Sequence, residues 1–220
     1  MLDKTKVCVP IFEKTYESAL RAAKNSVEAG ADLLELRIDF IDNPNPDDVK
    51  TLINEINFPV VATNRRKEEA GFFKGSENER IEILVEAART ADIVDIELGS
   101  NMEDMDKIVK AASSTIISFH DFKKTPSADF LLEVVGKEKE LGDIAKFAVM
   151  PQKISDTLTV LDVLSQVENT VGISMGTMGS YTRVVAPLFG SPITFASYQN
   201  STAPGQLNIQ TTKDILNKLI

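Results

Sequence analysis

Short apolar runs alternate with amphipathic segments along the whole chain. Eight runs rich in Val, Ile, Leu and Ala lack a polar face, which is typical of strands buried on both sides. These strands are predicted at Lys6–Pro10, Leu33–Ile38, Pro59–Asn64, Ile93–Glu97, Thr115–Phe119, Ile144–Met150, Val171–Met175 and Ile193–Ala196. The helices that follow them are predicted at Thr15–Ala29, Pro46–Ile56, Glu77–Thr90, Met102–Ala112, Ser127–Leu141, Ser155–Val167, Ser180–Leu188 and Thr211–Leu219.

This strict alternation predicts parallel strands joined by helical crossovers. Eight such units are the number that closes a barrel, whereas the alternative, an open doubly wound sheet, often carries Gly-x-Gly-x-x-Gly after its first strand. No such glycine pattern follows the first strand here. We therefore predict an α/β protein with a (β/α)₈ TIM barrel that occupies residues 1–220 as a single domain.

Composition and charge narrow the classes of function. A net charge of −9 argues against binding to nucleic acid or to a membrane surface. One histidine and one cysteine leave few ligands for zinc, and Cys8 sits in an apolar run that predicts a core position. The first residues show no signal-peptide pattern, and no apolar run approaches the length of a membrane span, so a cytoplasmic protein is expected.

A single lysine interrupts the sixth predicted strand. Side chains alternate along a strand, so Lys146 shares a face with Ile144, Ala148 and Met150. Burial disfavours the ammonium form of a lysine, and a neutral amine is the nucleophile that forms a Schiff base with a ketone. The alternative is a strand-end lysine that extends its charged end to water.

Polar residues collect at the carboxyl ends of the predicted strands, where the active site of this fold lies. They are Glu35, Arg37, Arg65, Asp95, Glu97, His120, Asp121, Lys146, Arg183 and Gln206. His120 is the only histidine and adjoins the lysine strand, and imidazole both accepts and returns protons near neutral pH. The cations predict excess positive charge in the pocket and a small anionic substrate whose carboxylate is gripped by arginine.

Two loops offer further hypotheses. The segment 172–183 is spaced by glycines and precedes a helix, so it is an alternative cradle for a phosphate. The segment 197–208 is long and rich in turn-forming residues, which favours either a flexible connection or a lid hinged at Gly205. In the second case Thr202 and Gln206 would touch the ligand.

An ordered set of short motifs spans nearly the whole chain. They are Glu35-Leu36-Arg37-Ile38-Asp39, Arg65 with Glu69, Asp95-Ile96-Glu97, Ser118-Phe119-His120-Asp121, Lys146-Phe147-Ala148-Val149, Ser174-Met175-Gly176, Arg183, Phe189-Gly190-Ser191, Phe195 and Ala203-Pro204-Gly205-Gln206. This set resembles the type I 3-dehydroquinate dehydratase family, the Schiff-base lyases of the shikimate pathway of aromatic amino-acid biosynthesis.

The resemblance implies a (β/α)₈ barrel, commonly a homodimer, that dehydrates 3-dehydroquinate to 3-dehydroshikimate without a metal or other cofactor. Lys146 would form an imine with the C3 ketone. His120 would help to form that imine, remove a C2 proton and later protonate the departing C1 hydroxyl. Glu69 matches the glutamate that orients the histidine.

The resemblance also implies a substrate-binding set. Glu35 and Arg65 match positions that hold the ring hydroxyls, and Arg37 falls in the same cluster. The remaining matches are Arg183, Thr202 and Gln206 around the carboxylate and Phe195 as an apolar wall over the ring. Three positions depart from the family pattern: Phe119 precedes the histidine where tyrosine is frequent, Thr202 replaces serine, and Ile173 replaces methionine.

Two competing hypotheses belong to other classes. A class I aldolase that acts on a phosphorylated sugar would also use a lysine imine, but it leaves the carboxylate-binding arginines unexplained. A barrel that binds a small anion without turnover leaves the buried lysine unexplained. An ultraviolet assay for the conjugated enone product separates all three.

Overall fold

The computed structural model describes residues 5–198 and 205–219, in which strands and helices alternate. The strands are β1 Lys6–Ile11, β2 Leu33–Arg37, β3 Val60–Thr63, β4 Ile93–Glu97, β5 Thr115–Asp121, β6 Ile144–Val149, β7 Thr170–Ser174 and β8 Ile193–Phe195. The α-helices are α1 Tyr16–Glu28, α2 Pro46–Ile56, α3 Glu77–Ala88, α4 Met102–Ala111, α5 Ala128–Leu141, α6 Ile154–Gln166, α7 Thr182–Val185 and α8 Ile209–Leu219. Short 3₁₀ turns lie at Ile38–Phe40, Lys67–Glu69, Thr177–Gly179 and Ala186–Phe189.

The eight strands form one parallel sheet in the order β7-β6-β5-β4-β3-β2-β1-β8. Each strand from β1 to β6 pairs with the next strand in the chain, and β8 returns to β1 with Cys8 opposite Phe195. Only the β7–β8 edge lacks backbone pairing, so the barrel is nearly closed. The predicted (β/α)₈ barrel is confirmed, and the open doubly wound alternative is excluded because strand order follows chain order around the barrel.

Side-chain alternation divides the core into an inner and an outer layer. The inner layer includes Cys8, Val61, Ala148 and Phe195, which fill the barrel. From β6, Ala145, Phe147 and Val149 point outward and pack with apolar residues of α5 and α6. The strands are therefore buried on both faces, as predicted, and Cys8 lies in the core, where burial raises the pKa of its thiol.

The helices begin at capping side chains that are visible in the sequence. Thr15 and Ser18 form a capping box at α1, as Ser76 and Glu79 do at α3, while the Asn45 side chain accepts a bond from the first turn of α2. Such caps satisfy backbone N–H groups that have no partner within the helix. Predicted and observed helix starts agree within about one residue at these ends.

Element boundaries differ from the predictions at several places, notably at β5, α7 and α8. Strand β5 continues to Asp121, because His120 and Asp121 pair with Ala148 and Val149 of β6. The predicted helix 180–188 is reduced to the four-residue α7, which is followed by the 3₁₀ turn Ala186–Phe189. Helix α8 starts two residues early, where the Asn208 side chain accepts a bond from the backbone N–H of Thr211.

Within residues 5–198 and 205–219, no helix is long and apolar enough to cross a membrane. The same residues bring no three His, Cys, Asp or Glu side chains together in a way that could hold a metal ion. The expectations of metal-free chemistry, a homodimer and a cytoplasmic location stay predictions.

Candidate active site

A cavity of about 470 Å³ opens at the carboxyl ends of the strands. Larger cavities of about 1320 Å³ and 660 Å³ lie elsewhere, the first near the amino ends of β1, β7 and β8 and the second beside α2 and α3. The cavity of about 470 Å³ nevertheless holds most of the charged residues predicted for the site. It is lined by Pro10, Phe12, Glu35, Arg37, Phe40, Arg65, Glu69, Ala70, Phe72, His120, Phe122, Lys146, Ala148, Ile173, Met175, Arg183, Phe195 and Gln206.

Lys146 reaches this cavity from the middle of β6 and is 4% exposed. Its Nζ donates a hydrogen bond of 2.7 Å to Oδ2 of Asp95 and lies 3.8 Å from Oε1 of Glu35. The same nitrogen lies 4.7 Å from the centre of the Phe195 ring. Two carboxylates and an aromatic face thus surround the amine of this buried lysine.

Arg65 ties the neighbouring carboxylates together. Its Nη2 lies 2.7 Å from Oδ1 of Asp95, and its Nη1 donates to Oε1 of Glu97 at 3.0 Å and to Oγ of Ser118 at 2.7 Å. Burial by itself would raise the pKa of Asp95, but Arg65 and Lys146 hold it well below its usual range. Asp95 therefore stays ionised and is a weak base.

His120 and Glu69 form the second pair in the cavity. Nδ1 of His120 lies 2.7 Å from Oε2 of Glu69. Burial, followed by the charges of Arg65 and Lys146, lowers the pKa of His120 well below its usual value. Burial raises the pKa of Glu69 to about 7, against the lowering effect of Arg65. When Glu69 is ionised, it accepts a hydrogen bond from Nδ1–H of the neutral imidazole. Nε2 then carries no proton and is the basic nitrogen.

Arg183 differs from the other cations of the cavity. It is 6% exposed, and its Nε has no hydrogen-bond partner among the residues that the structure describes. Burial lowers its pKa to about 10, so the guanidinium still carries its charge at neutral pH. A buried cation of this kind binds a carboxylate or another oxyanion strongly.

Arg37 is held at the mouth of the cavity by its own neighbours. Its Nε and Nη2 donate to the two oxygens of Asp39 at 2.9 and 2.8 Å, and the guanidinium lies 4.3 Å from the centre of the Phe12 ring. Phe40 packs edge-on against both Phe12 and Phe72. Arg37 therefore borders an aromatic wall, and the carboxylate of Asp39 already balances its charge.

A family model described as type I 3-dehydroquinase matches residues 7–219. The chain belongs to this family. It is 51% identical over 216 residues to the 3-dehydroquinate dehydratase of Methanothermobacter thermautotrophicus, covering 98% of each chain. It is 52% identical over 217 residues to the Methanobrevibacter smithii protein of the same name, covering 99% of this chain and 97% of that one.

Solved structures of dehydroquinases share the barrel. A type I 3-dehydroquinate dehydratase from Clostridium difficile with covalently modified comenic acid superposes with a TM-score of 0.92 at 31% identity, covering 98% of this chain and 92% of that one. The 3-dehydroquinate dehydratase from Aquifex aeolicus superposes with a TM-score of 0.85 at 29% identity, covering 97% and 98%. The predicted resemblance to the family is thus confirmed.

In this dehydroquinase the structure brings nearly all the predicted site residues to one cavity. The predicted residues that line it are Glu35, Arg37, Arg65, Glu69, His120, Lys146, Arg183, Phe195 and Gln206. Thr202, with residues 199–204 of the predicted lid 197–208, lies outside the described residues. Of the departures from the family pattern, Ile173 lines the cavity, whereas Phe119 points outward and meets Phe130 at 6.0 Å between ring centres.

Three residues of the site have roles that sequence reasoning missed. Asp95 and Glu97 were noted at the end of their strand, but their roles as partners of Lys146 and Arg65 were not predicted. Their spacing of two residues on one strand was the available signal. Phe122, which stacks on His120 at 6.0 Å between ring centres, carried no signal in the sequence.

Two expectations need correction. The dehydroquinase cavity has no broad excess of positive charge, because carboxylates accompany Arg37, Arg65 and Lys146 and only Arg183 lacks one among the described residues. The glycines of the segment 172–183 serve close packing: a Cβ on Gly172 would lie 2.9 Å from both Leu164 and Phe147, and one on Gly179 would lie 2.1 Å from the Ser174 carbonyl oxygen. The segment opens only the four-residue α7, so it is not the predicted cradle for a phosphate.

Proposed function

We propose that this chain dehydrates 3-dehydroquinate to 3-dehydroshikimate, a step of the shikimate pathway, through an imine on Lys146. The family membership and the names of the close relatives support the reaction. The observation that carries the imine is a buried lysine whose amine faces the same cavity as the only histidine of the chain. A lysine is rarely buried in this way without a chemical purpose.

Imine formation begins with loss of a proton from the Lys146 ammonium. Asp95 is a weak base, so we assign the role of proton acceptor to the neutral imidazole of His120, which lines the same cavity. The free amine attacks the C3 carbonyl carbon, the carbonyl oxygen is protonated, and water leaves to give the iminium. Asp95 and Glu35 then face the iminium charge in place of the ammonium charge.

The iminium acidifies the proton on C2, because the electron pair of the broken C–H bond moves into the iminium and forms an enamine. His120 accepts that proton at Nε2 while Glu69 holds Nδ1–H at 2.7 Å. The imidazolium next donates a proton to the C1 hydroxyl, which leaves as water as the enamine electrons return. Water then hydrolyses the conjugated iminium and releases the enone and the free lysine.

Substrate binding follows from the remaining groups of the cavity. Arg183, whose Nε has no hydrogen-bond partner among the described residues, supplies a cation for the substrate carboxylate, and Gln206 lines the same cavity. Glu35 and Arg65 lie beside Lys146, where they suit the ring hydroxyls, and Phe195 presents its face to the ring. Holding both ends of the substrate places C3 against the amine in a reactive geometry.

The test combines turnover with covalent trapping. Purified protein is mixed with 3-dehydroquinate, and the absorbance of the conjugated enone is followed. In parallel, borohydride is added and the mass adduct is mapped to a residue. We expect enone formation and a reduced adduct at Lys146, and we expect both to disappear in Lys146→Met.

Lys110→Met, a change at an exposed surface lysine, is the matched control and should behave as wild type. Substantial turnover by Lys146→Met would rule out the imine. His120→Ala should still form the adduct but turn over slowly, by roughly 10²–10⁴-fold, because it lacks the acid and base.

A further inference from the structure

Glu97 connects the Lys146–Asp95 pair with the His120–Glu69 pair. It does not itself line the cavity that the described residues define. It is the last residue of β4 and is 0% exposed. Its Oε1 accepts hydrogen bonds of 3.0 Å from both Nη1 of Arg65 and the backbone N–H of Arg66. Its Oε2 accepts a bond of 3.1 Å from Nη1 of Arg80. One buried carboxylate is thus shared by two cations and a main-chain donor.

The first connection leads to the lysine. The Arg65 guanidinium that Glu97 holds also contacts Oδ1 of Asp95 at 2.7 Å, and Oδ2 of Asp95 accepts from Lys146 at 2.7 Å. Ser118 stabilises the contact between Arg65 and Asp95, because its hydroxyl accepts a hydrogen bond from Arg65 and donates one to Asp95, both of 2.7 Å. A shift of Arg65 therefore moves the carboxylate that orients Lys146.

The second connection leads to the histidine. Arg66 is the residue before the 3₁₀ turn Lys67–Glu69, and its carbonyl accepts from the N–H groups of Glu69 and Gly71 at 3.1 and 2.9 Å. Glu97 fixes the N–H of the same residue. This 3₁₀ turn places Oε2 of Glu69 at 2.7 Å from Nδ1 of His120.

Arg80 anchors Glu97 to the scaffold. It lies on α3, is 1% exposed, and donates to the Asn64 carbonyl at 2.7 Å and to both oxygens of Glu77 at 2.8 Å. Its charge also balances Glu97, because a buried carboxylate needs paired cations to remain ionised. Arg80 therefore fixes Glu97 from the side opposite the cavity.

We propose that Glu97, anchored by Arg80, is a positioning residue that sets the geometry of both Lys146 and His120. The inference rests on the proposed function, because it assigns Lys146 and His120 to the imine and proton-transfer steps. Since one carboxylate serves both connections, its loss disturbs imine formation and proton transfer together. Any loss of substrate affinity should be small, because Arg183 has no contact with this network among those described, and Arg65 keeps its bonds to Asp95 and Ser118.

The experiment compares Glu97→Gln, Arg80→Gln and the control Glu77→Gln. Glu77 bonds Arg80 as closely as Glu97 does but has a half-exposed side chain and no contact with Arg65 or Arg66 among the contacts described. We measure the kcat and KM for 3-dehydroquinate, the rate of borohydride trapping at Lys146, and the thermal midpoint of each variant.

Glu97→Gln should lower kcat by about 10²-fold and slow trapping, while KM changes by less than about threefold, because misplaced groups cost rate more than binding. Arg80→Gln should show the same pattern at about tenfold, and Glu77→Gln should stay within about twofold of wild type. If Glu97→Gln does not fold, Arg80→Gln decides by the same split between kcat and KM.

The inference is overturned if the folded variants keep the wild-type kcat and trapping rate, or if only KM or the thermal midpoint changes. Wild-type protein serves as the reference for the proposed function itself. A wild type that neither turns over 3-dehydroquinate nor forms an adduct would overturn the proposed function, and this inference with it. Active wild type with unaffected variants would overturn this inference alone.

Discussion

Nζ of Lys146 lies 2.7 Å from Oδ2 of Asp95, and both residues are almost fully buried. The proposed nucleophile therefore rests as one half of an ion pair. The pair keeps the amine aimed into the cavity. The pair also links β6 to β4, so each strand contributes to the stability of the other.

Replacing Asp95 with asparagine should destabilise the fold. The change leaves the Lys146 and Arg65 cations buried with fewer carboxylates, and breaking a buried pair on one side costs roughly 3–5 kcal/mol. Urea unfolding measures the loss. Asp106→Asn, which breaks a pair with Lys110 on the exposed face of α4, should cause no comparable change. Equal midpoints for the two variants would mean that the Lys146–Asp95 pair contributes little to stability.

The rate should fall as the pH decreases through about 7. Burial is the main reason that the pKa of Glu69 is raised to about 7. Its ionised carboxylate therefore accepts the hydrogen bond from Nδ1–H of His120 only above that pH. The measurement is the pH dependence of kcat for wild type and Glu69→Gln. The variant should turn over by roughly 10²-fold more slowly and lose this limb of the profile. A limb that persists in Glu69→Gln would belong to another group.

Arg183→Gln should weaken substrate binding more than any other change of a single cavity arginine. Its guanidinium has an unpartnered Nε among the described residues, and a charge-assisted bond to a carboxylate contributes about 1.5–3 kcal/mol. We expect KM to rise by roughly 10- to 100-fold. Arg37→Gln is the comparison and should have a smaller effect, because Asp39 already occupies that guanidinium. A larger effect at Arg37 would move the carboxylate site to the aromatic wall.

Glu138 on α5 should make the protein less stable as the pH rises. Its side chain is fully buried, neither carboxylate oxygen has a hydrogen-bond partner among the described residues, and burial raises its pKa to about 10. Between the unfolded value of 4.5 and about 10, the folded state therefore binds one more proton than the unfolded state. The free energy of unfolding should fall by up to about 1.4 kcal/mol per pH unit from this group.

Glu138→Gln removes that contribution. Urea unfolding at about pH 6 and about pH 8.5 should show a steeper loss of stability in wild type than in the variant. Parallel losses in the two proteins would contradict the buried, protonated state of Glu138.

Much of the scaffold could be predicted from local patterns. Helix starts at Thr15, Asn45 and Ser76 follow from side chains that cap their own helices. The prediction for β5 stopped short because His120 and Asp121 are polar, and their pairing with β6 depends on a strand distant in sequence. The predicted seventh helix is shortened to Thr182–Val185, because Pro187 lies in the 3₁₀ turn Ala186–Phe189, which ends at Gly190 in the left-handed conformation.

The sequence by itself determined the order of strands and helices, the number of units that closes the barrel, and which residues of the sixth strand share a face with Lys146. These features depend on periodicity and capping within a few residues. Only the tertiary structure decided that Asp95 meets Lys146 and that Glu69 meets His120, each pair 51 residues apart in the chain. The protonation state of each group depends on burial and on charges within a few ångströms, and barrel closure brings those charges together.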